Sequence, residues 1–253
     1  MAASMAKSKA GQCVFCGKQG RVTREHVVPR GLFLSPLPET MITVPVCQPC
    51  NNGKSSDDTY LRDFLLSDMA SRPNRVAQAL RKGKLMRAVQ TNRSELARTI
   101  ARHARRKPLY STGGIYLGSF YCVSVEERRL ESSFQKMARG LYYYVSKQYL
   151  PQDAQVEVSR VDRFQIRAAW DAMGIQHAGT DYIHPDVFAC RHYADAEFPL
   201  YSRWLLLFYN TILFEVLTLP STWVETVITA DQPASTSILT VPTSGTGTGV
   251  VAP

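Results

Sequence analysis

Two pairs of cysteines near the N-terminus have a spacing that suits metal binding. Cys13 and Cys16 form the first pair, and Cys47 and Cys50 form the second. A two-residue gap lets both thiolates of one turn reach a single ion, and four thiolates at about 2.3 Å make a closed, structural zinc site. In a reducing compartment such pairs are more often metal ligands than disulfides. We therefore predict a structural zinc ion on these four cysteines.

A second group of polar residues lies between and just after the cysteine pairs. Glu25 precedes His26 directly, and Asn51 follows the last cysteine. A zinc ion that ties Cys50 to Cys16 would draw Asn51 back towards Glu25 and His26. Carboxylate and amide oxygens are hard ligands that suit Mg²⁺ or Mn²⁺ rather than a thiolate site. We expect a second, oxygen-ligated cation here.

The order C-x-x-C, E-H-V-x-P and C-x-x-C-N resembles the HNH endonucleases, whose core is a zinc-stapled ββα-metal unit. The resemblance covers roughly residues 12–62. It implies that Glu25 and Asn51 bind the catalytic metal and that His26 is the general base. Many family members carry a central Asn before the second cysteine pair, and this chain has none there. Thr43 or a backbone carbonyl would then orient His26.

These residue types fit the hydrolysis of a phosphodiester bond. An imidazole with an ordinary pKa of about 6.5 can accept a proton from water near neutral pH. One divalent cation on Glu25 and Asn51 would stabilise the negative charge that develops on the oxygens. The resemblance implies a metal-dependent endonuclease with structural Zn²⁺ and catalytic Mg²⁺ or Mn²⁺, and roles such as phage defence. Double-stranded DNA is the favoured substrate.

The positive charge of the chain favours a nucleic acid as its partner. The formal net charge is +9, and residues 72–107 hold twelve Lys or Arg against one acid, Glu95. Apolar residues at helical spacing predict two basic amphipathic helices there, and their charge would bind phosphates beside the nuclease site. The predicted nucleic-acid contacts are Arg24, Arg30, Lys54, Arg81, Lys82, Lys84, Arg87, Arg102, Arg105 and Arg106.

The predicted helices and strands that would position the site residues indicate an α+β fold. The predicted organisation is a flexible tail (1–11), an HNH module (12–70), a basic helical connector (71–110), an α+β C-terminal domain (111–230) and a disordered tail (231–253). Ser and Asp at 55–58 suit the start of a helix. The C-terminal domain resembles no module that we identify, and it could offer a surface to a protein partner.

The C-terminal domain is expected to contain an antiparallel sheet and one long helix. Residues 115–123 suit a strand, and residues 124–148 suit a helix. The side chains expected on its inner face are Leu130, Phe134, Met137, Leu141 and Val145. The further predicted strands are 155–159, 187–193, 203–209, 211–218 and 222–229.

The distribution of apolar residues indicates that the protein does not bind or cross a membrane. No run approaches the roughly 20 apolar residues of a spanning helix, and residues 1–11 lack the apolar stretch of a secretory signal. We expect a soluble, cytoplasmic protein. Two other functions fit the same residues: a non-catalytic zinc-ribbon protein that holds nucleic acid, and a degenerate HNH fold that acts as a scaffold for a partner.

Overall fold

The computed structural model describes residues 9–91, 94, 98, 105–122, 125–176, 182–195 and 197–222. Within these residues the chain forms three antiparallel sheets and five α-helices. The predicted mixture of helices and sheets is therefore confirmed, whereas the domain boundaries stay a prediction. The predicted tail at 231–253, and the predicted strand at 222–229 beyond residue 222, lie outside the described residues.

The N-terminal part of the chain is a small sheet followed directly by a long helix. Strands β1 (Lys9–Gln12), β2 (Gln19–His26) and β3 (Thr43–Cys47) lie side by side in that order, and helix α1 (Gln48–Ser67) leaves the end of β3. Two strands and a helix follow one another here, whereas the ββα-metal fold that the resemblance implies stays a prediction. The prediction of a flexible tail over 1–11 was wrong at its end, because residues 9–11 pair with β2.

Helix α1 begins earlier than the sequence suggested. Its first turn contains Pro49, which suits that position because its missing N–H would have no helical partner there. The prediction that residues 55–58 open the helix was therefore wrong, since they lie in its interior. The apolar face of α1 is buried through Tyr60, Leu61 and Leu65. That face joins the helix to the core.

The basic segment contains one helical stretch and one hairpin. Helix α2 (Arg75–Leu80) continues through a π-helical turn (Arg81–Leu85) into α3 (Met86–Gln90), which agrees with the first predicted basic helix. The prediction of a second basic helix was wrong at its C-terminal end. Residues Arg105–Tyr110 form a strand, β4, which pairs with β5 (Tyr116–Cys122). Pro108 disfavours a helix at this point. Residues 92–93, 95–97 and 99–104 lie outside the described residues.

The C-terminal part packs one long helix against a five-stranded antiparallel sheet. The helix is α4 (Glu127–Ser146), and the shorter α5 (Ile166–Gln176) was not predicted. The strands, in the order in which they lie in the sheet, are β6 (Gln155–Arg160), β10 (Ile212–Leu219), β9 (Ser202–Phe208), β8 (Phe188–Ala194) and β7 (Tyr182–His184). Four of the predicted strands are confirmed, and β7 was missed.

The buried face of α4 agrees with the predicted apolar pattern except at its end. Leu130, Phe134, Met137 and Leu141 are buried, whereas Val145 is 47% exposed. The buried face ends at Tyr142, whose hydroxyl donates to the carbonyl of Pro199 at 3.0 Å. No helix among the described residues is both long enough and apolar enough to cross a membrane.

One hydrophobic core runs through the N-terminal and C-terminal parts. It contains Val27 after β2, Leu61 on α1, Phe134 on α4 and Phe208 on β9. Helix α4 comes especially close to the chain after β2 at Gly140, where an added Cβ would lie 2.7 Å from Cγ2 of Val27. Only the absence of a side chain allows this approach.

We predict that Gly140→Ala lowers the free energy of unfolding by about 1–3 kcal/mol, because the new methyl group overlaps Val27 in a packed core. Urea unfolding measures the effect. Gly53→Ala, within α1 and with no atom within 4 Å of the added Cβ, is the matched control. It is expected to be neutral or stabilising by up to about 1 kcal/mol. Equal stability of Gly140→Ala and the unsubstituted protein would contradict the close approach.

Candidate functional site

The four cysteines converge on one point at the junction of β1, β3 and α1. All four Sγ atoms lie within 4.8 Å of one another, and those of Cys16 and Cys47 are 3.7 Å apart. Tetrahedral zinc with bonds of about 2.3 Å would place its sulfur ligands about 3.8 Å apart. The cysteine tetrad (Cys13, Cys16, Cys47 and Cys50) could therefore hold a zinc ion.

The first pair is held in place by a tight backbone turn. The N–H of Gly17 donates to the carbonyl of Cys13, and the N–H of Cys13 donates to the carbonyl of Lys18, both at 2.9 Å. Gly17 has a φ of 69°, in the left-handed region that favours glycine. The turn therefore presents both thiols on the same side, and the N–H of Val14 joins it to β3 by donating to the carbonyl of Pro45 at 2.9 Å.

The surroundings of the tetrad affect its thiols in opposite directions. Burial alone would raise the pKa of Cys13, but hydrogen bonds from the backbone at Cys47, Cys16 and Phe15 lower it to about 7. Burial raises the pKa of Cys16 and Cys50. A bound cation would therefore have to displace protons from these two thiols, as zinc does in thiolate sites.

A buried lysine occupies the interface between β2 and α1. Lys54 is 2% exposed, and its Nζ lies 3.4 Å from Oε1 of Glu25 and 3.5 Å from Oδ2 of Asp58. It also donates to the carbonyl of His26 at 2.5 Å. A buried cation is costly unless it is paired and hydrogen-bonded, and here three oxygens meet that need. Lys54 therefore links the end of β2 to the second turn of α1.

His26 is half-buried at the end of β2 and carries an unused ring nitrogen. Its Nδ1 is buried and has no hydrogen-bond partner among the described residues. Burial lowers the pKa of His26, although the carboxylate of Glu25 opposes this. The imidazole is therefore neutral at neutral pH, the form that can accept a proton. Thr43, expected to orient it, lies opposite in the strand register, but no hydrogen bond joins the two side chains.

Asn51 lies at the same interface but contacts a different residue of β2. Its Nδ2 is 3.3 Å from Oγ1 of Thr23, which lies two residues before Glu25 on the same face of the strand. The contact to the carboxylate of Glu25 comes from Lys54. In the described part of the chain, the tetrad is the only cluster of three or more Cys, His, Asp or Glu side chains close enough to hold an ion. A cation on Glu25 and Asn51 stays a prediction.

Asp58 lies on the other side of Lys54 from Glu25 in the ion-pair network. It was expected to cap a helix, but it faces Lys54, and its Oδ1 is buried without a hydrogen-bond partner. Burial raises the pKa of Asp58 to about 6, although Lys54 opposes the shift. The i, i+4 spacing of Lys54 and Asp58 on a helix was the signal that could have indicated the pair.

The other predicted contacts to nucleic acid fall into three groups. Arg24, Arg30, Lys82, Arg87, Arg105 and Arg106 are exposed. Arg81 donates to the carbonyl of Leu66 and to Oγ of Ser71, and Lys84 donates to the carbonyl of Phe33. These two side chains, like Lys54, hold the fold together. Arg102 lies outside the described residues.

No protein-family model, curated protein or solved structure matches this chain. The functional assignment therefore depends on the residues of the site and on their geometry.

We predict one zinc ion per purified chain, measured by elemental analysis, and loss of that zinc in Cys50→Ser. A hydroxyl is a poor ligand for a site built from thiolates, so the variant should also melt at a lower temperature. Cys190→Ala is the matched control, because Cys190 is a buried cysteine outside the tetrad. Equal zinc content in Cys50→Ser and Cys190→Ala would contradict the site.

We predict that Lys54→Met lowers the free energy of unfolding by about 2–4 kcal/mol, because two carboxylates then face each other without a cation. Adding Asp58→Asn to Lys54→Met should recover part of the loss, and a double-mutant cycle measures the coupling. Lys82→Met, at an exposed position, should change stability by about 0.5 kcal/mol or less. A Lys54→Met protein as stable as Lys82→Met would show that the ion pairs contribute nothing.

Proposed function

We propose that this chain is a metal-dependent endonuclease of the HNH type that hydrolyses phosphodiester bonds of DNA. The observation that carries the proposal is His26. Its neutral imidazole has an unpartnered Nδ1 and lies beside Glu25, at the end of a strand joined to α1 near the cysteine tetrad. A buried ring nitrogen without a hydrogen-bond partner costs stability, which favours a functional role for His26 over a structural one.

In the proposed reaction, His26 accepts a proton from a water molecule. The oxygen of that water attacks phosphorus while the bond from phosphorus to the leaving sugar oxygen breaks, and the leaving oxygen takes up a proton from a second water molecule. Glu25 and Asn51 are the side chains that would hold a divalent cation. When bound, Mg²⁺ or Mn²⁺ would supply positive charge to the oxygens on which negative charge develops.

Lys54 is a positioning residue in this scheme. Its contact with Oε1 restricts the carboxylate of Glu25, one of the groups that would hold the divalent cation. Its hydrogen bond to the carbonyl of His26 fixes the backbone next to the imidazole. Lys54 would therefore keep the acid and the base in one geometry before the substrate arrives.

A non-catalytic zinc-ribbon protein that holds nucleic acid is the second candidate function. The observation that favours it is the same lysine: the ammonium of Lys54 already neutralises Glu25, so the interface needs no second cation. The cysteine tetrad and the exposed basic residues would then account for the N-terminal part. The two candidates differ in whether His26 takes part in any reaction.

We predict that the purified protein relaxes supercoiled plasmid in Mg²⁺ or Mn²⁺, and that His26→Ala lowers the rate by about 100-fold or more, the usual loss when a general base is removed. Agarose gels over time measure the rate. His26→Ala should keep its zinc, since its side chain lies outside the tetrad. Equal rates for the two proteins would point to a contaminating nuclease, and DNA binding without cleavage by either would favour the zinc-ribbon candidate.

A further inference from the structure

The hairpin formed by β4 and β5 (residues 105–122) stands apart from the other two sheets. Its two strands pair only with each other among the described residues, and all six residues of β4 are exposed. At about 3.3 Å per residue, strands of this length extend about 20 Å. A hairpin without a third strand or a covering helix is marginally stable alone, so a binding partner is a physical reason for it to exist.

The stem of the hairpin is basic and carries no opposing charge of its own. Arg105, Arg106 and Lys107 follow one another on β4, and residues 105–122 contain no Asp or Glu. The Nε of Arg106 donates to Oγ of Ser119 across the ribbon at 2.8 Å, which fixes the start of that side chain against the opposite strand. A run of three basic residues in a segment whose sequence contains no acid is a composition that suits a polyanionic partner.

The tip of the hairpin is apolar, exposed and ordered by its own hydrogen bonds. Five large apolar side chains that are 46–68% exposed lie within nine residues, namely Leu109, Tyr110, Ile115, Tyr116 and Leu117. The rings of Tyr110 and Tyr116 meet edge to face at 5.7 Å. The N–H of Ser111 donates to the carbonyl of Ile115 at 2.8 Å and closes the turn. An apolar cluster of this kind marks an interaction site.

We propose that this hairpin is an arm that lies in a groove of double-stranded DNA, with its basic stem on the phosphates and its apolar tip against sugars and base edges. The inference rests on the proposed function, because it names the element that holds the substrate of the same enzyme. A two-stranded ribbon fits the major groove of DNA, where apolar side chains can contact the methyl groups of thymine. A protein partner would bury the tip but would leave the three cations of the stem unexplained.

The first test replaces the charges of the stem in the full chain carrying His26→Ala, so that the DNA is not cut. Fluorescence anisotropy with a short labelled duplex, without chelators that would remove zinc, measures affinity across a range of salt. The triple variant Arg105→Ser, Arg106→Ser, Lys107→Ser should bind about 10–100-fold more weakly at about 0.1 M salt, with a salt slope smaller by about 2–3.

A matched control removes the same charge elsewhere. Arg128, Arg163 and Arg167 are exposed and lie outside the hairpin. Their combined replacement by Ser should change affinity less than about threefold, because non-specific long-range charge is largely screened at this salt. Equal losses in the control and in the stem variant would overturn the proposal, since the effect would then come from net charge alone.

A second variant tests the tip without changing its charge. Tyr116→Ser with Leu117→Ser should weaken DNA binding about 5-fold or more while the salt slope stays unchanged, since no phosphate contact is lost. If the tip variant instead changes the oligomeric state and binds DNA as before, the tip is a contact between proteins and the proposal fails. Unaltered zinc content and melting temperature in each variant check that the fold is kept.

These outcomes separate the hairpin from the endonuclease. If the protein binds DNA through the hairpin but never cleaves plasmid, the proposed function fails and the arm stands. If plasmid is cleaved in a manner that depends on His26 while both hairpin variants bind DNA as tightly as their parent, the arm fails and the endonuclease stands.

Discussion

The convergence of four thiols is the constraint on which the candidate site depends. Between β2 and β3 the chain has a single short 3₁₀ turn, Arg30–Leu32, and the end of β2 meets α1 through its pairing with β3, which runs directly into the helix. The strand register places Val22 opposite Cys47, and the tetrad joins Cys47 and Cys50 to the turn at Cys13. An ion bound there would lock the strand, the turn and the helix in one arrangement.

The interface next to the tetrad is organised by charge rather than by apolar packing. Lys54 gathers two carboxylates and a backbone carbonyl around one ammonium, and His26 is left beside it with an unused nitrogen. These buried ion pairs define the geometry of the interface more than they stabilise the fold. The attraction between a buried cation and its partners gains little more free energy than the desolvation of the charges costs. Such an arrangement is more typical of a site that must hold groups in place than of a structural core.

Much of the fold followed from local patterns, and the parts that did not are set by distant contacts. The cysteine spacing indicated the tetrad, and alternating apolar residues indicated four strands of the C-terminal sheet. The strand at Arg105–Tyr110 was missed because its pairing partner lies beyond a turn and outweighs the helical pattern before it. The burial of Lys54 was missed because it depends on Glu25, which is far from it in the chain. A sequence pattern describes neighbours, whereas charge burial depends on the whole fold.

Two adjacent carboxylates on α1 point to different parts of the molecule. Asp58 faces Lys54, whereas Asp57 is bound by Arg129, Ser132 and Lys136 of α4. The helix that carries the candidate site is therefore anchored from behind by the C-terminal half. Residues 12–70 expressed alone would lose these anchors and expose an apolar surface to water, so trimming the chain to this N-terminal part would not give a stable fragment. A smaller version would need a redesigned outer face on α1.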